Sequence, residues 1–341
     1  MPDSKTYLID DPDQYRQRIP SDDVRLVITS TGAYRATVTR IHLHQVWMSR
    51  VSQSLAHTVC SVTPKGRRAI FFLPDDNRPS IYVGGTEIRT GDLVRYSAEA
   101  EYHDRLPPDG AWAGMALKPE DLAAAGEKII GRELFAPDVT TVMRPEPKTL
   151  ARLRTVHGAI CDLAVADPSL FAHPEVARAI EDSLLRAFVA AVMDPTADGA
   201  RLTVGRSGAI MRRFEDVLEA RPDEPLYLVE VCGALGVPER TLRLHCVQHL
   251  GMGPHRYLWL RRLHLARRAL AKADASKTTV TTIANDYGFS ELGRFSVTYR
   301  EIFGESPSAT LLRGDADSDA ETIRPKRNLP ILHSRAASLL S

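Results

Sequence analysis

From about Val24 to Leu117 the chain alternates apolar and polar positions with the period of extended backbone. "RATVTRIHLHQVWMSRVSQS" alternates around Val38, Ile41, Leu43, Val46 and Met48. "RRAIFFL", "SIYVGG", "GDLVRYSA" and "WAGMALK" are short apolar or β-branched runs bounded by Gly, Pro and Asp, and "GGTEIRTGDLV" puts glycines where tight turns need positive φ. Many short strands at this spacing predict a barrel or sandwich. The period then lengthens. A helix is expected after Pro119, and "PEPKTLARLRTVHGAICDLAVADP" and "HPEVARAIEDSLLRAFVAAVMDP" each open near a proline, carry one apolar stripe and close on "DP". Those two stripes either cover the β-domain or form a dimer seam, and the pattern alone leaves both readings open.

The expected organisation is therefore α+β and multidomain. It runs as a β-rich domain over 1–145, amphipathic helices over 146–195, a linker over 196–205, a helical domain over 206–313 and a disordered tail over 314–341.

The helical domain repeats itself. At an offset of 52, Val231 aligns with Ile283, Cys232 with Ala284, Leu235 with Tyr287, Gly236 with Gly288, and Val237 with Phe289. At an offset of 53, Leu242 aligns with Phe295, Gly251 with Gly304, and Pro254 with Pro307. Each copy reads as a helix ended by a glycine, an apolar plug, then a second helix crossing the first: a helix-turn-helix, whose second helix fits a B-form major groove about 12 Å wide. Gly236, Val237 and Leu242 build the first turn and core, and Ile283, Ala284, Gly288, Phe289 and Phe295 the second.

Outward-facing candidates for DNA contact are Glu239, Arg240, Arg243 and Gln248 on the first reader helix, and Ser290, Glu291, Arg294, Ser296 and Arg300 on the second. Arginine grips guanine at two points, glutamate accepts from cytosine, and serine and glutamine adapt. Between the copies, "PHRYLWLRRLHLARRALAKA" reads as a rigid linker helix, apolar at Leu258, Trp259, Leu265, Ala266, Ala269 and Leu270. Its Arg261, His264, Arg268 and Lys272 form a basic stripe expected to be solvated or near phosphate, and Arg262 is expected to find an internal salt bridge. Readers entering successive grooves on one DNA face must stand about 34 Å apart.

Charge sharpens this picture. The formal net charge is +1, yet Pro225–Arg313 carries 12 Lys and Arg against 7 Asp and Glu, while residues 1–224 carry 28 against 32. Cys60, Cys161, Cys232 and Cys246 stand apart without a C-x-x-C pair and read as reduced thiols, and no long apolar stretch spans a membrane. A cytoplasmic protein is expected.

The segment from about Leu226 to Leu312, above all "TTIANDYGFSELGRFSVTYREIFGESP" with "LRRLHLARRAL" and "LGVPERTL", resembles the DNA-binding module of AraC/XylS-type transcription regulators. It departs at Leu244 and Cys246, where the family often has arginine and phenylalanine, and at Gly293 and Val297, where polar residues are common. The resemblance implies a sequence-specific regulator, not an enzyme, with promoter or operator duplex DNA as partner. It also implies a small cupin-like β-barrel in front that senses an effector or mediates homodimerisation, contact with RNA polymerase, and no cofactor.

Two alternatives stand beside it. A cupin-type metalloenzyme with an attached helical module would use His42 and His44 of "IHLHQVW", with His57 or His103, but residues 45–50 lack the glutamate such sites place after the pair. These histidines are read as ordinary strand residues, and no metal is assigned. The other alternative is an interaction protein whose helical module does not bind DNA.

Overall fold

The chain was analysed as a computed structural model that describes residues 2–19, 22–97, 101–193, 200–201, 206–221 and 224–313. The N-terminal half runs β1 (Asp3–Ile9), α1 (Pro12–Arg18), β2 (Asp22–Ile28), β3 (Ala36–His42), β4 (Trp47–Gln53), β5 (His57–Val62), β6 (Arg68–Phe72), β7 (Ile81–Val83), β8 (Thr86–Ile88), β9 (Leu93–Arg95), β10 (Glu101–Leu106) and β11 (Ala111–Leu117). It continues through α2 (Pro119–Ile130), β12 (Thr141–Met143), α3 (Pro147–Ala166), α4 (Pro174–Val192) and β13 (Ala200–Arg201).

The strands form two open antiparallel sheets, ordered β1-β3-β4-β11-β6-β9-β12-β13 and β2-β5-β10-β7-β8. They do not close into one barrel among the described residues, so the cupin-like closure expected above gives way to facing sheets. The reason lies in the larger sheet, which is apolar on both faces. Val38, Val51 and Phe71 face Leu26, Val59 and Ile81 of the second sheet. Ile41, Met48, Phe72 and Met115 face the opposite way, against Leu153, Ile160, Leu184 and Phe188 of α3 and α4. Each such side chain contributes about 1.5–3 kcal/mol when fully buried. The stripes of α3 and α4 are thus spent within the chain, covering the sheet.

The helical domain contains α5 (Arg206–Glu219), α6 (Leu228–Leu235), α7 (Glu239–Leu250), α8 (Pro254–Lys272), α9 (Val280–Asp286), α10 (Leu292–Phe303) and α11 (Pro307–Arg313). Of the expected linker only 200–201 is described, paired with β12, and the expected tail over 314–341 lies outside the described residues.

The two halves dock through polar contacts that the sequence pattern did not show. Arg267 of α8 is buried and forks onto Asp11, with Nη1–Oδ1 and Nη2–Oδ2 both at 3.0 Å. It also reaches Asp13 at 3.0 Å and Glu305 at 3.5 Å. Asp11 is itself the cap of α1, accepting from Asp13 N at 2.7 Å. Buried His264 accepts the Ile28 N–H at 2.9 Å through Nε2 and meets the Phe303 ring edge-on. Part of the basic stripe of the linker helix also faces protein: beside His264, Arg261 donates to the carbonyls of Leu218, Arg221 and Glu224, while Lys272 is exposed.

Candidate nucleic-acid interface

Both repeat copies fold as helix-turn-helix units with matching hydrogen bonds. α6 ends at Gly236 with φ of 64°, and Val237 N donates to Cys232 O at 3.3 Å. Gly288 has φ of 76° after α9, and Phe289 N donates to Ala284 O at 2.9 Å. Left-handed backbone is cheap only for glycine, and the five-residue bond satisfies a carbonyl left over at the helix end. At Gly288 space adds a second demand: a Cβ there would collide with Tyr227 Oη and lie 2.9 Å from Arg262 Nη1.

Of the two plug residues, Phe289 is buried and Val237 is half-buried against the core. Leu242 and Cys246 are fully buried in α7, as are Phe295 and Tyr299 in α10, with Ile283 and Ala284 beneath them. Phe289 is 8% exposed, with its ring 5.0 Å from Phe295 and 6.2 Å from Trp259. Arg262 departs from expectation. It forms no salt bridge among the described residues, and its guanidinium lies 4.7 Å from the Tyr227 ring and 5.6 Å from the Phe289 ring. Tyr227 opens the first unit and Phe289 plugs the second, so this cation clamps the two units together through ring faces.

On the reader helices, Glu239, Arg240 and Arg243 of α7 are exposed, as are Ser290, Glu291, Arg294 and Arg300 at α10, while Ser296 is half-buried. None of these four arginines has a carboxylate within ion-pair distance among the described residues. Gln248 stands apart: a Cβ built on Gly85 of the β-domain would lie 3.3 Å from its Cγ. The C-terminal end of α10 also touches the β-domain, where Gly32 N donates to Glu301 O at 2.8 Å. The β-domain therefore holds both readers by their C-terminal ends and leaves their N-terminal ends open, the ends that helix-turn-helix proteins present to bases.

Three apolar side chains lie on these faces, two of them the departures Leu244 and Val297 named from the sequence and the third, Val247, not singled out there. Leu244, Val247 and Val297 are 66%, 49% and 60% exposed. The signal for Val247 was available, since it directly follows buried Cys246 and so falls off the face shared by Leu242 and Cys246.

A helix-turn-helix domain family matches residues 231–313. The helical domain is similar to those of AraC/XylS-type regulators. A probable thc operon regulatory protein of Rhodococcus erythropolis is 39% identical over 102 residues, covering 30% of this chain and 31% of that protein. The HTH-type transcriptional activator RhaS of Pectobacterium carotovorum is 44% identical over 85 residues, covering 25% and 29%. The solved structure of a probable AraC family transcriptional regulator from Rhodopseudomonas palustris is 33% identical, with a TM-score of 0.28, and covers 31% of this chain and 97% of that one. The matched stretch spans less than a third of the length of these two curated AraC/XylS relatives.

The histidines weighed for a metal go to four separate places. His42 Nδ1 meets Asp3 at 2.9 Å, His44 Nε2 meets Pro174 O at 3.2 Å, and His57 Nδ1 meets Leu55 O at 3.1 Å. His103 turns toward the helical domain and meets Glu215 of α5 at 3.1 Å. There Cys60, His103 and Glu215 bring ligand-type atoms within 4.8 Å of one another. Arg25 occupies that neighbourhood, 3.2 Å from Cys60 Sγ and 3.4 Å from Glu215, and it also pairs with Glu101 and Glu219. Burial alone would raise the Glu215 carboxyl, but the His103 hydrogen bond and the charges of His103 and Arg25 hold it below the usual range. The cluster is an ionic contact between domains, with arginine supplying the positive charge. No helix among the described residues is long and apolar enough to cross a membrane.

Proposed function

We propose that the protein is a sequence-specific DNA-binding transcription regulator of the AraC/XylS type, acting in the cytoplasm. In this reading the β-domain senses a small molecule and controls how the helical domain engages a promoter, working as a homodimer that contacts RNA polymerase. The observation that carries it is the pair of glycine-turned units whose reader helices expose Arg240, Arg243, Arg294 and Arg300 without carboxylate partners. Unpaired cations on an exposed helix suit phosphate oxygens and guanine edges. The β-domain's grip on the opposite helix ends gives an input a mechanical route to the readers, and a coupling of about 1–3 kcal/mol would supply roughly 5–150-fold control.

The test is selection of bound sites from random duplex DNA with the full-length chain, followed by affinity measured against salt. If the four arginines neutralise four phosphates, the log–log slope should be about −3.6, a loss of about 150-fold between roughly 50 and 200 mM salt. The spacing of selected half-sites reports whether two copies bind together. Binding that is flat with salt, or no enriched sequence, refutes the proposal and favours a protein-interaction module.

A further inference from the structure

Between the two sheets lies a cavity of about 90 Å³. The pairing register places its rim and its depth. His42 pairs with Trp47, and Ala116 with both Trp47 and Ala69, so these residues share one end of the larger sheet, and all of them line the cavity. Asp104 lines it further in, opposite Val59 of β5 and Val83 of β7. Tyr15, Phe71, Tyr96, Tyr102 and Trp112 surround this inner part with aromatic rings.

Asp104 is the anomaly. The residue is half-buried, its Oδ1 is fully covered and has no hydrogen-bond partner, and no cation lies within ion-pair distance of the carboxylate among the described residues. Burial pushes the carboxyl up to about 7. Asp104 lines the cavity together with Tyr15, Tyr96 and Tyr102, and after burial its charge adds to what keeps their hydroxyls protonated. A carboxylate left unpaired in an apolar cavity is costly, and aromatic faces attract cations. Both terms are relieved by the same visitor.

We infer that this cavity is the ligand site of the β-domain and that its ligand is an organic cation, a protonated amine or quaternary ammonium on a small apolar body, held by Asp104 within the aromatic rings. The inference rests on the reading of the β-domain as a sensor and adds the chemical class it senses. Arg40 also lines the cavity, half-buried and 3.5 Å from His42 at the rim, so an anionic ligand is the competing occupant. The strand carrying Asp104 supplies the output. Successive side chains of β10 point to opposite faces, so the residue beside Asp104 is His103, which holds Glu215 of the DNA-binding domain. A cation that draws Asp104 inward moves the strand whose other face grips the readers' domain.

The experiment uses the full-length chain and three probes of one shape: benzylamine, benzyl alcohol and benzoate. Binding is followed by calorimetry and by fluorescence, to which the cavity residues Trp47 and Trp112 contribute. Benzylamine should bind about ten- to a hundredfold more tightly than the alcohol, as expected for a hydrogen bond to a charged group, and benzoate most weakly. Asp104→Asn should erase the amine's advantage and leave the alcohol unchanged. Because it removes an unpaired buried charge at constant size, it should melt no lower than the parent. The unsubstituted chain decides the matter even if that variant fails to fold. No amine binding up to about 1 mM, equal affinity for amine and alcohol, or benzoate as the tightest probe overturns the cation assignment. DNA affinity against salt is measured on the same preparation. Salt-dependent DNA binding without amine preference overturns the ligand class alone, whereas amine preference with salt-flat DNA binding overturns the regulator reading alone.

Discussion

Arg267→Met tests whether the domains are held by a buried charge network. Met keeps much of the volume and removes the guanidinium from a site 3% exposed. Four hydrogen bonds go with it: two to Asp11, one to Asp13 and one to Glu305. Of the carboxylates left behind, Asp11 and Asp13 have side chains 25% and 29% exposed, while Glu305 keeps Arg313 at 2.8 Å. Breaking a buried pair by removing one partner costs about 3–5 kcal/mol, because the survivor is stranded without compensation. With an unfolding entropy of about 2.1 cal/mol/K per residue, a chain of this size melting as one unit should lose roughly 4–7 °C. Asp11 and Asp13 belong to the β-domain and Arg267 to the linker helix, so the single transition should also split in two. The assay is calorimetry of the parent, Arg267→Met, Asp11→Asn and the double variant. Asp11→Asn should cost less in the Arg267→Met background than alone, since the charge it removes is already stranded. A loss below about 1 kcal/mol, or strictly additive losses, would show that the network is a solvated surface feature and that apolar packing alone holds the domains.

Acid should loosen the same interface. His264 is pushed down to about 3, first by burial and then by Arg268 and Arg267, with Asp11 opposing. Its folded value lies below the unfolded value of about 6.5, so its contribution is complete above about pH 6.5 and is lost as pH falls from there toward 3, at about 1.4 kcal/mol per pH unit. Urea unfolding at pH 7.5 and pH 5 should differ by about 2 kcal/mol less in His264→Gln than in the parent, and an identical difference rejects the assignment. Arg294→Ala should cost about 1–3 kcal/mol of DNA affinity and relax preference at one operator position, while a uniform loss across sequences would mark a phosphate contact instead. Phe289→Ala should destabilise the helical domain by about 3–5 kcal/mol, because its ring is enclosed by Trp259 and Phe295, and an unchanged melting curve denies it the plug's role.

Local chemistry was legible in the linear chain. Gly236 and Gly288 announced left-handed turns, the repeat offset paired the two units, and the spacing of Leu242, Cys246, Phe295 and Tyr299 named their buried faces. Such features depend on a few neighbouring residues and on backbone sterics, so they survive without knowledge of the fold. The exposed arginines of the readers were legible for the same reason.

What lay beyond the linear chain depended on which surface each helix or sheet meets. The basic stripe of the linker helix looked ready for solvent or phosphate, but its His264 is buried, as is Arg267 beside it, because Ile28 and Asp11, more than two hundred residues earlier, come to lie against them. Arg262 was assigned a carboxylate and instead lies over two rings. The pairing of the β-domain into two open sheets, the cover that α3 and α4 provide, and the placing of Asp104 in a cavity while His103 meets the helical domain follow from how the strands pair and pack. Periodicity tells a side chain that it will be buried or exposed. Only the tertiary arrangement supplies the partner, and for charged groups the partner decides whether burial stabilises, costs, or waits for a ligand.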